Sequence, residues 1–159
     1  MKHIEYAYTR GMNDDETDEL LRTTDSGVLA QCHDGKVHAI PLAHYYDGDG
    51  LYFRFGTTDD STKRVVGETA DQVCYTLYDA YPTDDPREID SWSIVITGRL
   101  SEISEDEYEQ FDTADINDRF CPIRVFDEAI EDVEITILEL EIEQMTGRIT
   151  PDSDPAEQR

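Results

Sequence analysis

Short runs of β-branched and aromatic residues recur along the chain from Gly27 onward, and they predict a β-rich fold. The glycine-containing sequences HDGK and DGDG separate the first three runs and are typical of tight hairpin turns. The pattern predicts six strands, with the sequences VLAQCH, KVHAIPLAHYY, LYFRF, QVCYTLYDAY, WSIVITGRL and VEITILELEIEQM. We therefore expect a mainly β fold, in which hairpin-linked and mostly antiparallel strands close into a small six-stranded barrel.

The last predicted strand contains a change of phase in its apolar pattern. Val133, Ile135 and Ile137 alternate with polar residues, whereas the next apolar residues are Leu138 and Leu140. A shift of one residue is typical of a β-bulge in a bent strand. The sequence therefore predicts a bulge directly after Ile137, in the strand that closes the barrel.

Three other segments predict short helices beside the strands. MNDDETDELLRTTDSG has acidic residues in its first turn, Leu20 and Leu21 on one side, and Gly27 beyond its end. STKRVVGETA predicts one or two helical turns with Asp60 or Ser61 as the N-cap, and SEISEDEYEQFD predicts a second helix that opens with acidic residues.

The charge of the chain is strongly negative throughout its length. Asp and Glu number 38 against 13 Lys and Arg, which gives a formal net charge of -25. Acid spread over every segment is typical of a halophilic protein, because concentrated salt screens self-repulsion. A mesophilic acidic domain that meets a basic partner remains the alternative. Nucleic acid is excluded as a ligand in either case, since its backbone requires a basic surface.

The sequence also predicts the cellular compartment of the protein and a flexible C-terminal tail. No apolar run approaches the roughly 20 residues of a membrane span, and MKHIEYAYTR lacks the apolar region of a signal peptide. Cys32, Cys74 and Cys121 are odd in number and form no CxxC pair, so we expect small buried residues in a reducing compartment. We therefore expect a cytoplasmic protein without membrane contact, and a flexible acidic tail over residues 150–159.

The histidines do not predict a metal site. His38 and His44 would share one strand face, but six residues of strand separate them by about 20 Å. No cysteine or acidic residue completes a standard zinc spacing with them. Isolated histidines of this kind are expected to be hydrogen-bonded strand or surface residues.

The sequence GTTDDSTKR, residues 56–64, is a candidate anion site. Lys63 and Arg64 form the single pair of adjacent basic residues in the chain. If Ser61 caps a short helix, the backbone N–H groups, the hydroxyl and the Lys63 ammonium converge on one phosphate-sized anion. The alternative is that Lys63 and Arg64 form surface ion pairs with Asp59, Asp60 or Glu68, which contribute about 0–1 kcal/mol.

Pro41 interrupts a sequence that otherwise predicts a central strand. Because proline has no N–H donor, it indicates an edge or a bulge at this point. Backbone groups left unpaired near Ile40 and Leu42 could bind a planar heterocycle, although an ordinary edge strand explains the residue equally well. The aromatic residues nearby are expected to be core for the most part, with one or two able to stack on a ligand ring.

Three pieces of the stretch from Gly27 to Leu100 together resemble a known family in their order and spacing. They are GVLAQCHDGKVHAIPLAHYYDGDGLYFRF, with its proline in the second strand, then STK, and then SWSIVITGR. This arrangement resembles the pyridoxamine 5'-phosphate oxidase-like flavoproteins, and within them the branch that includes nitroimidazole-resistance-type proteins. The resemblance implies an FMN-binding split β-barrel that forms a single domain over residues 1–149, and a homodimer that binds its cofactor between the subunits.

The resemblance also implies roles for particular residues. Ser61 and Lys63, with Thr62 between them, would bind the FMN phosphate, and the backbone around residues 40–42 would face the isoalloxazine ring. Trp92 and Ser93 would approach the flavin from the neighbouring subunit. The implied cofactor-binding residues are Ile40, Pro41, Leu42, His44, Phe55, Ser61, Thr62, Lys63, Trp92 and Ser93.

This chain departs from the family's oxidases on its second strand. Ala39 and His44 lie where those oxidases carry an arginine and a lysine for the phosphate, so Arg54 or Arg64 is expected to supply the missing charge. No catalytic base can be named, and His44 is the candidate proton donor because its ordinary pKa is near neutrality.

The function that the sequence predicts is an FMN-dependent oxidoreductase acting on an unidentified small organic molecule. The alternative is a non-catalytic flavin- or haem-binding module, and a third candidate is a barrel that has lost its ligand and serves as an acidic structural partner.

Overall fold

The strands and the helix follow the predicted order along the chain. The computed structural model describes residues 9–33, 35–57, 72–86, 88–104, 106–107 and 134–151. The elements are β1 (Arg10–Gly11), α1 (Asp14–Thr23), β2 (Ser26–His33), β3 (Lys36–Tyr46), β4 (Leu51–Thr57), β5 (Gln72–Pro82), β6 (Ile89–Glu102) and β7 (Glu134–Ile149). Among the described residues, no helix combines the length and the apolar character that crossing a membrane requires.

The strands form one antiparallel sheet that closes on itself. The strand order is β1-β7-β4-β3-β2-β5-β6, and β7 also pairs with β6. Strands β2 to β7 therefore form a closed ring of six, with β1 added at the edge of β7. The predicted class, a mainly β six-stranded antiparallel barrel, is confirmed, and the two-residue strand β1 was not predicted.

The predicted bulge exists, but it lies further along β7 than the sequence indicated. The pairing of β4 with β7 runs without a shift through Ile137 and Leu138. The irregularity lies where Thr97 pairs with Gln144 and Gly98 pairs with Ile142. The change of phase at Ile137 has another cause, because Ile137 is buried in a second apolar cluster while Leu138 is buried in the main core.

Helix α1 begins where its side chains satisfy the first backbone N–H groups. The Asn13 Oδ1 accepts a hydrogen bond of 2.9 Å from the Glu16 N–H, and the Glu16 carboxylate accepts one from the Asn13 N–H. This capping box and the acidic first turn explain the start of the helix. Its inner side buries Leu20 and Leu21 fully against the barrel, as the pattern predicted.

Two other predictions differ from the structure. Ser101 and Glu102 continue β6, so the predicted second helix does not begin there, and most of that segment lies outside the described residues. Cys32 is exposed and Cys74 is half-buried, so the prediction of buried cysteines is wrong for Cys32. Thr150, placed at the start of the tail, still hydrogen-bonds to Ser91 through its backbone N–H and its hydroxyl.

Candidate functional site

The barrel is split between β3 and β4. The two strands pair at three positions, from His44 with Phe53 to Tyr46 with Leu51. Beyond that point β4 continues along β7 as far as Thr57, while β3 continues along β2 in the other direction. The side of β3 that faces away from β2, over residues 37–43, consequently has no strand partner among the described residues. This segment, residues 37–43, is called the open edge below.

The pairing of β3 with β2 determines which backbone groups face the open edge. The His44 N–H donates to the Asp25 carbonyl at 3.0 Å, and Ser26 lies opposite Ala43. Because hydrogen-bonded and non-hydrogen-bonded pairs alternate in an antiparallel ladder, the backbone groups of Ile40 and Leu42 face β2. Those of Ala39 and Pro41 face the open edge, one residue away from the positions that the sequence suggested.

Pro41 fits this geometry because its missing donor lies on the open side. A proline at Ile40 or Leu42 would remove a hydrogen bond to β2, whereas at Pro41 no ladder bond is lost. The open edge therefore offers the N–H and C=O of Ala39 and the C=O of Pro41. This mixed set of donors and acceptors matches the edge of a planar heterocycle that presents both kinds of group.

Ile40 and Leu42 contribute to the wall behind the edge. Leu42 is buried in the core and Ile40 packs against it while remaining half-buried. Phe55 belongs to β4 and lies opposite Thr136, and its side chain is outside the described part of the structure. Ser61, Thr62 and Lys63 lie outside the described residues, so their predicted contact with a phosphate stays a prediction.

His44 lies in the core, behind the open edge. Its Nδ1 is 2.8 Å from the Tyr75 hydroxyl and its Nε2 is 3.1 Å from the Leu21 carbonyl oxygen. Burial lowers the pKa of His44, and the bond to Leu21 offsets part of that effect. The side chain is 3% exposed, so His44 ties helix α1 to the barrel and is held neutral there.

Trp92 and Ser93 face opposite sides of β6. The Trp92 side chain is 5% exposed and belongs to the core, whereas Ser93 points outward and is half-buried. Directly opposite Ser93 on β5 lies Tyr78, which points outward and is 72% exposed. Sequence reasoning did not assign Tyr78 to the site, because only the strand register places it beside Ser93.

Among the described residues, the central part of the outer surface of β3, β2, β5 and β6 carries no charged side chain. In the strand pairing, Pro41 lies opposite Val28, Val28 opposite Thr76, and Thr76 opposite Val95. The cross-strand pairs on either side of this row extend the same surface. We call this surface the uncharged face; its residues are Val28, Ala30, Ala39, Pro41, Cys74, Thr76, Tyr78, Ser93, Val95 and Thr97. Charged side chains return at its rim, where Arg99 forms a 2.9 Å ion pair with Glu143.

The aromatic residues divide much as the sequence predicted. Phe53 and Tyr75 are fully buried, with ring centroids 4.7 Å apart in an edge-to-face arrangement. The Tyr75 hydroxyl lies 3.1 Å from the Leu42 carbonyl oxygen and holds β5 against β3 behind the open edge. Tyr78 is the large aromatic that the uncharged face presents to solvent.

The chain was compared with known protein families and with solved structures. A family model described as pyridoxamine 5'-phosphate oxidase matches residues 13–149. No curated protein sequence matches the chain significantly. The family match covers the helix and all six strands of the barrel.

Solved structures from several bacteria share this fold at low identity. A protein provisionally named a 5-nitroimidazole antibiotic resistance protein, from Bacteroides thetaiotaomicron, is 17% identical with a TM-score of 0.62, over 94% of this chain and 95% of that one. An FAD-binding protein from Mesorhizobium loti is 21% identical with a TM-score of 0.63, over 89% and 97%. An FAD- and haem-binding protein from Mycobacterium smegmatis is 19% identical with a TM-score of 0.63, over 91% and 76%. These likenesses confirm the split-barrel fold.

Proposed function

The chain belongs to the pyridoxamine 5'-phosphate oxidase family, and from that premise we propose that it is a homodimeric, FMN-dependent oxidoreductase acting on a small organic molecule. The observation that carries the proposal is the open edge of β3, whose backbone groups at Ala39 and Pro41 lack a strand partner among the described residues. A flavin ring presents acceptors and donors along one side, which is the pattern that this edge complements.

The residues of this chain would hold the cofactor in two places. The open edge would orient the ring, with Ile40 and Leu42 filling the wall behind it, and Ser61, Thr62 and Lys63 would bind the phosphate. When bound, the flavin supplies the hydride or electron transfer, and the protein contributes orientation and electrostatics. His44 has both ring nitrogens engaged in the core, so the proposal gives it no proton to donate at the ring.

The uncharged face supports a homodimer. Two copies of a chain with a net charge of -25 repel each other, so they can meet most easily where neither presents a carboxylate. Val28, Val95 and Tyr78 expose apolar area on this face, and contiguous exposed apolar area is typical of interaction surfaces. A two-fold axis through the face would make the contact self-complementary.

We expect Val95→Asp to convert the dimer to a monomer, because the substitution brings two carboxylates together in a contact without counter-ions. The measurement is the molar mass in solution by light scattering, across a range of protein concentrations. Ile142→Asp is the matched control, because Ile142 is 38% exposed and Val95 37%, and Ile142 lies outside the uncharged face. A Val95→Asp protein that remains dimeric would contradict the assigned interface.

Flavin binding is tested by reconstitution with FMN, FAD and riboflavin in parallel titrations. We expect FMN to bind most tightly, since the predicted Ser61–Lys63 contacts engage a terminal phosphate. Preferential binding of FAD would move the assignment to the larger cofactor, and a chain that binds none of the three would overturn the proposal.

Lys63→Ala is the sharper test of the phosphate contact. We expect the Kd for FMN to rise about 10- to 100-fold, because a hydrogen bond to a charged group contributes about 1.5–3 kcal/mol. The Kd for riboflavin, which has no phosphate, should not change. Lys36→Ala, on the exposed hairpin between β2 and β3, serves as the charge-matched control. Equal FMN affinity in Lys63→Ala and the unsubstituted protein would refute the assignment.

Turnover separates the oxidoreductase from a non-catalytic flavin- or haem-binding module. The reconstituted protein should oxidise a reduced nicotinamide when an electron acceptor is supplied. A flavin-loaded protein that leaves the nicotinamide reduced would favour the binding module instead. A chain that takes up haem rather than flavin would favour that module as well.

A further inference from the structure

Strands β2 and β5 separate at the end of their shared ladder, and a groove opens between them. Their pairing ends where Ala30 lies opposite Cys74, and no further pair joins them among the described residues. Beyond that point β2 continues along β3 as far as His33, whereas β5 follows β6 to its first residue, Gln72. The groove between the diverging strands has a volume of about 230 Å³.

Two cysteines from different strands line this groove. Cys32 follows Ala30 by two residues, so it lies on the same face of the sheet as Cys74, diagonally across the ladder. Cys32 is exposed and Cys74 is half-buried. Diagonal neighbours of this kind lie about 7–8 Å apart. The two thiols are distant in sequence, and only the pairing of β2 with β5 brings them together.

The separation of the two thiols is too long for a disulfide but suits a single atom held between them. Cysteines with Cα atoms more than about 7 Å apart cannot be joined directly without backbone movement. A metal ion bound at about 2.3 Å by each sulfur, the length of a zinc–sulfur bond, holds the sulfurs about 4.6 Å apart, against about 2 Å in a disulfide. The diagonal position therefore accommodates a metal ion better than a disulfide.

The number of ligands indicates which metal ion fits. In the part of the chain that the structure describes, no three His, Cys, Asp or Glu side chains are grouped so that they could hold a metal. A zinc site, which needs four ligands or three and a water, is therefore not available to these thiols. Soft thiolate ligands select Cu(I), and this monovalent ion accepts two thiolates in a linear arrangement.

Hydrogen-bond donors beside the thiols suit such a complex. The Thr76 hydroxyl lies 3.8 Å from the Cys74 Sγ, within hydrogen-bond range for sulfur. Gln31 also lines the groove, and its buried Nε2 has no hydrogen-bond partner among the described residues. Two thiolates and one monovalent cation carry a net negative charge, which neighbouring donors stabilise.

The groove lies at the rim of the uncharged face and not in its middle. Cys32 and Val37 are outside that face as defined above, and Val37 is 76% exposed. An ion can therefore reach the thiols when two copies meet through the middle of the face. The net charge of -25 also attracts cations to the protein.

We propose that Cys32 and Cys74 bind one Cu(I) ion between their sulfur atoms. Binding forms two copper–sulfur bonds and releases two thiol protons to the solvent, and the copper keeps its oxidation state. Neither cysteine belongs to the open edge of β3, so the inference does not rest on the proposed flavin chemistry.

Competition with a coloured Cu(I) chelator, carried out without oxygen on the reduced full chain, tests the site. We expect one tightly bound ion per chain. Cys32→Ser and Cys74→Ser should each raise the Kd for Cu(I) about 10²- to 10⁴-fold, the usual gain from two linked ligands over one. The double variant should bind no more weakly than either single variant, because one remaining thiol no longer forms the bridge. If both single variants still bind one ion as tightly as the unsubstituted protein, the shared site is refuted.

Cys121→Ser is the matched control, because it removes a thiol from outside the described residues. It should leave the affinity for Cu(I) unchanged, and a loss equal to that in Cys32→Ser would overturn the two-ligand site. Near-ultraviolet circular dichroism of the metal-free variants verifies that each is folded. Should Cys74→Ser fail to fold, Cys32→Ser decides alone, since Cys32 is exposed.

X-ray absorption at the copper edge gives an independent reading of the coordination. We expect two sulfur neighbours and no third ligand, together with the release of two protons per ion in weakly buffered solution. Three sulfur neighbours, or nitrogen ligation, would contradict the assignment to Cys32 and Cys74.

Discussion

Gly98→Ala is expected to lower the free energy of unfolding by about 3 kcal/mol or more, because the added methyl group meets backbone and not a movable side chain. A Cβ at Gly98 would overlap the Glu141 carbonyl oxygen and lie 2.9 Å from the Glu141 carbonyl carbon. Glu141 belongs to β7 beside the bulge, where β6 and β7 close the ring. Relief of the clash therefore requires the two strands to separate at the closure of the barrel. Chemical denaturation followed by far-ultraviolet circular dichroism measures the loss.

Gly11→Ala provides the comparison for this substitution. Gly11 also lies in a strand that pairs with β7, but a Cβ there would meet the Arg148 guanidinium at an ordinary 3.7 Å. We expect that variant to unfold within about 0.5 kcal/mol of the unsubstituted protein. If Gly98→Ala is equally stable, β7 can shift at the bulge, and the closure is looser than the contacts indicate.

The bulge also illustrates why the pattern of apolar residues locates strands better than their irregularities. The sequence KVHAIPLAHYY coincides with β3 from Lys36 to Tyr46. It was predictable because its β-forming residues and the glycine-containing turns on either side can be read directly from the sequence. In β7, by contrast, two adjacent buried residues have different causes. Ile137 packs with Tyr52 and Ile103 on the outer side of the sheet. Neither partner belongs to β7, so the sequence of β7 alone does not reveal this contact. The real bulge passes over Glu143, a polar residue whose carboxylate is held by Gln72 and Arg99.

The candidate site was predictable in its chemistry but not in its register. Pro41 correctly indicated the strand with a missing partner, because the absence of a backbone N–H is a property of the proline itself. The direction of the groups beside it depends on how β3 pairs with β2, which differs by one residue from the prediction near Ile40 and Leu42. For the same reason Trp92 was expected to face the ligand, whereas the pairing of β5 with β6 turns it inward and turns Tyr78 outward.

Removal of the His44 side chain is expected to be the other strongly destabilising change. Leu21 belongs to the last turn of α1, where carbonyl groups have no partner within the helix, and the His44 ring supplies one. We expect His44→Ala to cost about 3–5 kcal/mol at pH 7.5, because it leaves a cavity and buries the Leu21 carbonyl without a donor. His44→Gln should recover part of the loss, since its amide N–H can donate to the Leu21 carbonyl.

The cost of His44→Ala should depend on pH in a defined direction. Burial lowers the pKa of His44 in the folded state below its ordinary value of about 6.5, so the folded protein favours the neutral ring. The stability that neutral His44 contributes is complete above about pH 6.5 and is lost as the pH falls toward the folded-state pKa. The difference in unfolding free energy between the unsubstituted protein and His44→Ala should therefore shrink from pH 7.5 to pH 5. Because both proteins carry the same carboxylates, their repulsion cancels in this difference. His38→Ala, at an exposed position of the same strand, should not show this cost at pH 7.5, and a penalty for His44→Ala that is constant from pH 7.5 to pH 5 would contradict the buried neutral ring.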